Sequence, residues 1–164
     1  MMYLVKILGF ALLFTTTAQA VTNFDNAPSG AHYAKGSGEP TCTLVGTTVT
    51  CSKTEIQGVG NTNANLALTV TATFTGTCTN PGGHVVEPFT EEETASHTEP
   101  LTPSKNGRLI VPSQSASVQT SEEFEAAFTC PNPNWTPDVS QSHVSFTYSL
   151  TFVGFDDPVI LITG

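Results

Sequence analysis

The chain has 164 residues, only 12% of them charged, and a formal net charge of −9. Residues 1–20 hold one of the 5 basic residues and no acidic residue, so 4 basic and 14 acidic residues remain after them. Nucleic acids and anionic lipid surfaces are bound mainly through Lys and Arg, so this composition excludes both as expected partners.

The N-terminus has the pattern of a secretory signal peptide. Lys6 precedes the apolar run ILGFALLF, and Ala18 and Ala20 form an A-x-A cleavage motif. The run is too short to span a bilayer, and no later stretch is apolar enough to do so. We therefore predict cleavage after Ala20 and a secreted, extracellular or periplasmic protein. Residues 21–40 have no periodicity and are interpreted as a leader segment before a single domain at 41–164.

Four cysteines predict two disulfides, because an exported chain folds in an oxidising compartment. Gly46 suits the first position of a two-residue type II′ hairpin loop, which places Cys42 opposite Cys51. This is a non-hydrogen-bonded pair, whose Cα atoms lie ~4.5 Å apart, and a disulfide spans that distance. By elimination, Cys78 pairs with Cys130.

The remaining elements are predicted mainly from period-two alternation. Residues 66–78 place apolar side chains on one parity and threonines on the other, as in a strand with one covered face, and residues 144–152 repeat this pattern. Residues 124–130 (FEAAFTC) also alternate, and 159–163 (VILIT) predict a fully buried last strand.

The polar, proline-interrupted residues 90–107 predict a long exposed loop. No amphipathic helix of useful length is evident. About eight strands predict an all-β fold, an antiparallel β-sandwich of immunoglobulin-like type, with a β-barrel as the alternative.

The sequence offers no constellation of catalytic residues. All four cysteines are assigned to disulfides, and no GxSxG motif is present. His84 and Glu87 are the nearest approach to a metal site, followed by the acidic residues 91–93 near His97, but solvated loop residues account for them better. We predict neither a catalytic site nor a cofactor.

Aromatic residues give the best indication of binding. Trp135 is the only tryptophan and lies in the proline-rich segment CPNPNWTP, and Tyr33 lies in the leader segment. Exposed rings of this kind could stack on a sugar. The alternative is that Trp135 fills the end of the sandwich.

Several segments together resemble a group of small secreted bacterial all-β proteins of unknown function. The segments that carry the resemblance are GAHY (30–33), CTLVGTTVTCS (42–52), GVGNTNA (58–64), C-x-N-x-G-G (78–83), KNGRL (105–109) and CPNPNWTP (130–137). The resemblance implies export and two disulfides. It implies no activity and no site residues.

We therefore predict an exported, non-catalytic protein with a binding or structural role. Its partner is expected to be an extracellular glycan, a matrix component or another protein. The alternative is a small secreted hydrolase or metal-dependent enzyme with a site built from loops. The sequence leaves the oligomeric state open.

Overall fold

The computed structural model describes the backbone of residues 15–164 and the side chains of residues 17–140 and 143–164. The apolar run of the predicted signal peptide lies before residue 15, outside the described residues. Within the described range, no helix is long and apolar enough to cross a membrane.

The described chain contains twelve strands and one α-helix. They are β1 (Thr15–Gln19), β2 (Val21–Thr22), β3 (His32–Tyr33), β4 (Thr41–Val45), β5 (Thr48–Cys51), β6 (Thr54–Gln57), β7 (Ala64–Thr79), β8 (Val85–Leu101), β9 (Leu109–Val111), β10 (Gln114–Ser117), α1 (Ser121–Ala127), β11 (Thr136–Phe152) and β12 (Ile160–Thr163). The strands exceed the predicted eight because several short ones lie in segments without periodicity. β2 and β3 both belong to the predicted leader segment, which therefore packs along the domain.

All strands pair antiparallel and form three sheets. The five-stranded sheet has the order β2-β12-β11-β7-β8, and the smaller sheets are β1-β4-β5-β10 and β3-β6-β9. In the described range these sheets do not close into a barrel, so the predicted all-β sandwich is confirmed over its alternative.

The core forms where the two smaller sheets cover one face of the five-stranded sheet. On β7, every second residue from Ala64 to Phe74 is fully buried, and these residues share one cluster with Val49 of β5 and Ile56 of β6. The threonines of β7 lie on the opposite face, where Thr71 hydrogen-bonds Thr94 of β8 across 3.1 Å. The predicted alternation along 66–78 and 144–152 is confirmed.

The prediction of a loop at 90–107 is wrong for most of its length, because β8 continues to Leu101 and pairs with β7 throughout. β8 is an edge strand, so it needs few apolar side chains. Two of its glutamates accept hydrogen bonds from the segment that begins with β10. Glu99 accepts one from Gln114 Nε2 at 2.7 Å, and Glu93 accepts one from the backbone N–H of Gln119 at 3.2 Å.

The predicted strand at 124–130 is also wrong, because its first half belongs to α1. Thr120 caps the helix, and Glu123 completes a capping box. Phe124 and Phe128, one helical turn apart, stack on Phe74 and Phe89 with centroids 4.2 Å apart in each case. The final strand is also less buried than predicted, because every second residue of β12 faces solvent.

Both predicted disulfides are confirmed. Cys42 and Cys51 are directly opposite in the β4–β5 hairpin, with Cα atoms 4.0 Å apart. Gly46 has φ +62°, whereas Thr47, like every described residue other than glycine, does not have a positive φ. A type I′ turn needs a positive φ at both loop residues, so this turn type is excluded. The second disulfide joins Cys78 to Cys130, whose Cα atoms are 6.0 Å apart. Cys130 follows α1 and does not lie in a strand.

Replacement of Cys78 and Cys130 by serine should lower the free energy of unfolding by about 4 kcal/mol, because the crosslink closes a long loop in the unfolded chain. Replacement of Cys42 and Cys51 serves as the comparison and should cost about 3 kcal/mol, because its loop is shorter. Denaturant unfolding measures both. A Cys78/Cys130 variant as stable as the wild type would contradict this assignment.

The Tyr148 hydroxyl is a buried group without a hydrogen-bond partner among the described residues, and burial raises the pKa of Tyr148. Tyr148→Phe removes this unsatisfied group and should raise the free energy of unfolding by about 1 kcal/mol. Tyr33→Phe is the matched control, because its hydroxyl hydrogen-bonds Thr22 at 2.7 Å and its loss should destabilise. Thermal unfolding of the two variants distinguishes these results; equal destabilisation would refute the expectation.

Candidate functional site

A polar cleft of about 400 Å³ lies against the β3-β6-β9 sheet. The loop between β3 and β4 forms one wall, and β6 and the start of β9 form the other. The lining residues are Ala34, Lys35, Gly36, Ser37, Gly38, Glu39, Lys53, Thr54, Glu55, Arg108 and Ile110.

Hydrogen bonds hold the loop at 34–39 against β6. The Ala34 amide donates to the Glu55 carbonyl, and the Glu55 amide donates to Ser37 Oγ, both at 2.9 Å. The buried Thr54 hydroxyl donates to the Gly38 carbonyl at 2.6 Å. Gly36, with φ +82°, allows the loop to turn back toward the sheet. The cleft wall is therefore fixed by both backbone and side-chain contacts.

The cleft concentrates the positive charge of the chain. Lys35, Lys53 and Arg108 line it, and they are three of the 4 basic residues after residue 20. Only two of the 14 acidic residues, Glu39 and Glu55, share the lining. By contrast, β8 and α1 together carry eight glutamates and no lysine or arginine. The strongly acidic domain thus has a localised cationic site.

Arg108 and Glu55 form the one ion pair found among the described residues. The hydrogen bond from Arg108 is the main reason that the pKa of Glu55 is below its usual value, and the same contact raises the pKa of Arg108. Arg108 still exposes 46% of its side chain. Lys35 and Lys53 form no ion pair in the described part of the chain, so both ammonium groups are available to a ligand.

The structure does not bring Trp135 and Tyr33, the two aromatic residues predicted to bind a sugar, together. Trp135 is half-buried and directly precedes β11, whereas the Tyr33 hydroxyl bonds Thr22 of β2. Thr22 pairs with Ile160, which pairs with Leu150, so Tyr33 lies near the opposite end of β11. The distance along β11 from the end next to Trp135 to the part near Tyr33 is roughly 45 Å. The two rings cannot contact one sugar ring together.

The weak metal candidates are also dispersed. His84 lies in the exposed turn between β7 and β8, and Glu87 lies on β8 opposite Cys78. Glu91 and Glu93 share a strand face with His97, while Glu92 points to the other face. Over the described range, no three His, Cys, Asp or Glu side chains are grouped so that they could hold a metal ion.

The cationic cleft was missed by sequence reasoning because its residues are far apart in the chain. Lys35 lies in the loop between β3 and β4, whereas Lys53 and Arg108 directly precede β6 and β9. The glycine-rich segment KGSGE (35–39) was the one local signal, and it has no recognised motif.

No protein-family model matches the chain, and no curated protein or solved structure matches it either. The resemblance to small secreted bacterial proteins of unknown function stays a prediction.

Arg108→Gln should raise the pKa of Glu55 toward its ordinary value, because the donor that stabilises the carboxylate is lost. A carboxyl ¹³C NMR titration measures this shift, with Lys105→Gln as a control outside the cleft. The ion pair contributes stability above the unfolded-state pKa of Glu55, and this contribution is lost as the pH falls through the lower folded-state pKa. An unchanged Glu55 titration in the Arg108 variant would contradict the pairing.

Proposed function

We propose that the protein is exported and non-catalytic, and that its cleft binds an acidic extracellular glycan bearing carboxylate or sulfate groups. The observation that carries this proposal is the concentration of Lys35, Lys53 and Arg108 in one cleft of an otherwise acidic domain. The two disulfides and the predicted signal peptide support a location outside the cell.

The chemistry of the lining favours an anionic ligand. Three cationic side chains provide charge-assisted hydrogen bonds to carboxylate or sulfate oxygens, and Arg108 offers a planar pair of donors. Ser37 and Glu39 can hydrogen-bond the hydroxyl groups of a sugar. The net negative charge of the domain repels polyanions elsewhere on its surface, so a glycan is directed to the cleft.

Binding is favoured over acid–base catalysis because of the contact between Glu55 and Arg108. Arg108 holds Glu55 in its charged form by lowering its pKa, which makes Glu55 a poor proton donor near neutral pH. Glycoside hydrolysis commonly needs a carboxylic acid with a raised pKa beside a second carboxylate. We therefore prefer a binding role to the small hydrolase.

A glycan array with acidic and neutral saccharides tests the proposal. Acidic glycans should bind, and Lys53→Gln should weaken their binding roughly tenfold, the effect of one lost charge-assisted hydrogen bond. Added salt should also weaken binding. Lys105→Gln is the matched control, because Lys105 does not line the cleft.

Three results would contradict the binding of an acidic glycan in the cleft. These are equal binding of neutral glycans, equal loss in the Lys53 and Lys105 variants, and loss in Trp135→Ala with no effect of Lys53→Gln. The last result would instead support the aromatic site predicted from the sequence.

A further inference from the structure

A second groove lies between β8 and α1. β8 forms one wall, and α1 with the residues that follow it forms the other. The groove has two adjoining parts, of about 290 and 370 Å³, and Glu91, Phe128 and Thr129 line both of them. None of its lining residues belongs to the cationic cleft, so the two sites are separate.

The lining of this groove is mostly apolar. Phe89 and Phe128 line the smaller part together with Pro88 and Pro131, and Phe124 joins Phe128 in the larger part. The three phenylalanine rings stack on one another but are only half-buried, so they leave apolar surface in contact with solvent. Apolar surface enclosed between two walls is typical of a site at which another molecule docks.

Two carboxylates flank Phe89 along the strand. Glu87, Phe89 and Glu91 are alternate residues of β8, so their side chains lie on the same face. The residues opposite Glu91 and Glu87 on β7 are Phe74 and Cys78. Both are fully buried, so this is the face of β8 toward the core. Glu87 and Glu91 are nevertheless exposed, and they lie roughly 13 Å apart along the strand.

The carboxylates of Glu87 and Glu91 form no ion pair in the described part of the chain. β7, β8, β11 and α1 contain no lysine or arginine. Other glutamates of this region have partners within the domain, since Glu93 accepts a hydrogen bond from the Gln119 amide and Glu123 completes the capping box. Glu87 and Glu91 are therefore available to the positive charges of a ligand.

We propose that the groove between β8 and α1 binds an extended basic segment of a partner protein, in which two lysines or arginines flank an apolar residue. Alternate side chains of an extended peptide lie on one face with the spacing that β8 itself has. The order cation, apolar residue, cation therefore matches the order Glu87, Phe89, Glu91. The apolar side chain contacts Phe89 and Phe128, and the cations form charge-assisted hydrogen bonds with the two carboxylates.

Charge complementarity and the length of the groove favour this occupant. Acidic proteins, acidic glycans and anionic lipids are repelled, because the surrounding strands and helix carry only negative charge. Lysine and arginine suit the groove, because their aliphatic stems cover apolar surface while their charges stay in water. A small cation fills only the part between Glu87 and Glu91, whereas the groove continues past Glu91 to Gln119. A peptide segment uses both parts.

Titration calorimetry with synthetic peptides tests the inference on the full chain, expressed in a secreting host and purified after export. A peptide of repeated Lys-Ser-Leu-Ser units should bind. Replacement of its leucines by serine should weaken binding about tenfold, because contact with the phenylalanine rings is lost. Replacement of its lysines by glutamate should abolish binding, and added salt should weaken it.

Glutamine variants locate the bound peptide. Glu91→Gln should weaken binding about threefold, and the double variant with Glu87→Gln about tenfold, as expected for exposed charge pairs. Glu92→Gln is the matched control, because it removes the same charge from the neighbouring residue, whose side chain lies on the opposite face of β8. Lys53→Gln, which should weaken glycan binding in the cleft, should leave peptide binding unchanged.

The inference is overturned if the peptides with and without leucine bind equally, because charge alone would then account for binding. It is also overturned if Glu91→Gln and Glu92→Gln have the same effect, or if the small polyamine spermidine binds as tightly as the peptide. A lysine peptide that does not bind would leave Glu87 and Glu91 only the role of protecting a sheet edge. Glycan binding by the same preparations would remain intact in each of these cases, so failure of this inference is distinguishable from failure of the proposed function.

Discussion

The structure depends on β7, which is the only long strand in the described part of the chain whose two edges are both paired along nearly its whole length. β11 and β8 satisfy its main-chain groups on either side, and its apolar face supplies the centre of the core. Close approach of the three long strands requires glycine at position 76. A Cβ there would lie 2.4 Å from the Asp138 carbonyl oxygen and 2.6 Å from the Phe89 ring. Any larger residue would separate β11 from β7 or displace Phe89.

The covering of β7 differs along its length. The two small sheets cover its first half, whereas α1 and the Cys78–Cys130 disulfide cover the second half. There, the rings of Phe74, Phe124, Phe128 and Phe89 form a continuous stack. A seven-residue helix is not stable alone, so this packing, the capping box and the disulfide hold it in place. The same disulfide fixes the chain before it enters β11.

Acidic and basic side chains lie on different elements of the domain. Charged side chains such as the glutamates of β8 disfavour the pairing of an exposed sheet edge with other chains. Two of these glutamates also accept hydrogen bonds from the segment between β10 and α1. The cationic side chains gather at the small β3-β6-β9 sheet, where the loop at 34–39 forms a cleft. An overall negative charge and a local cationic site are thus compatible, because different elements carry them.

The sequence by itself determined the features set by local periodicity and covalent chemistry. The alternation of 66–78 and 144–152 fixed two strands and their buried faces, and the Gly46 turn fixed the register that brings Cys42 to Cys51. Only the tertiary structure decided the state of β8 and α1. β8 is a strand because β7 offers it a full ladder of hydrogen bonds despite its polar side chains, and α1 is a helix because its cap and the phenylalanine stack outweigh a short alternating pattern. The cleft likewise required the fold, since charges distant in sequence become a site only when hydrogen bonds bring their loops together.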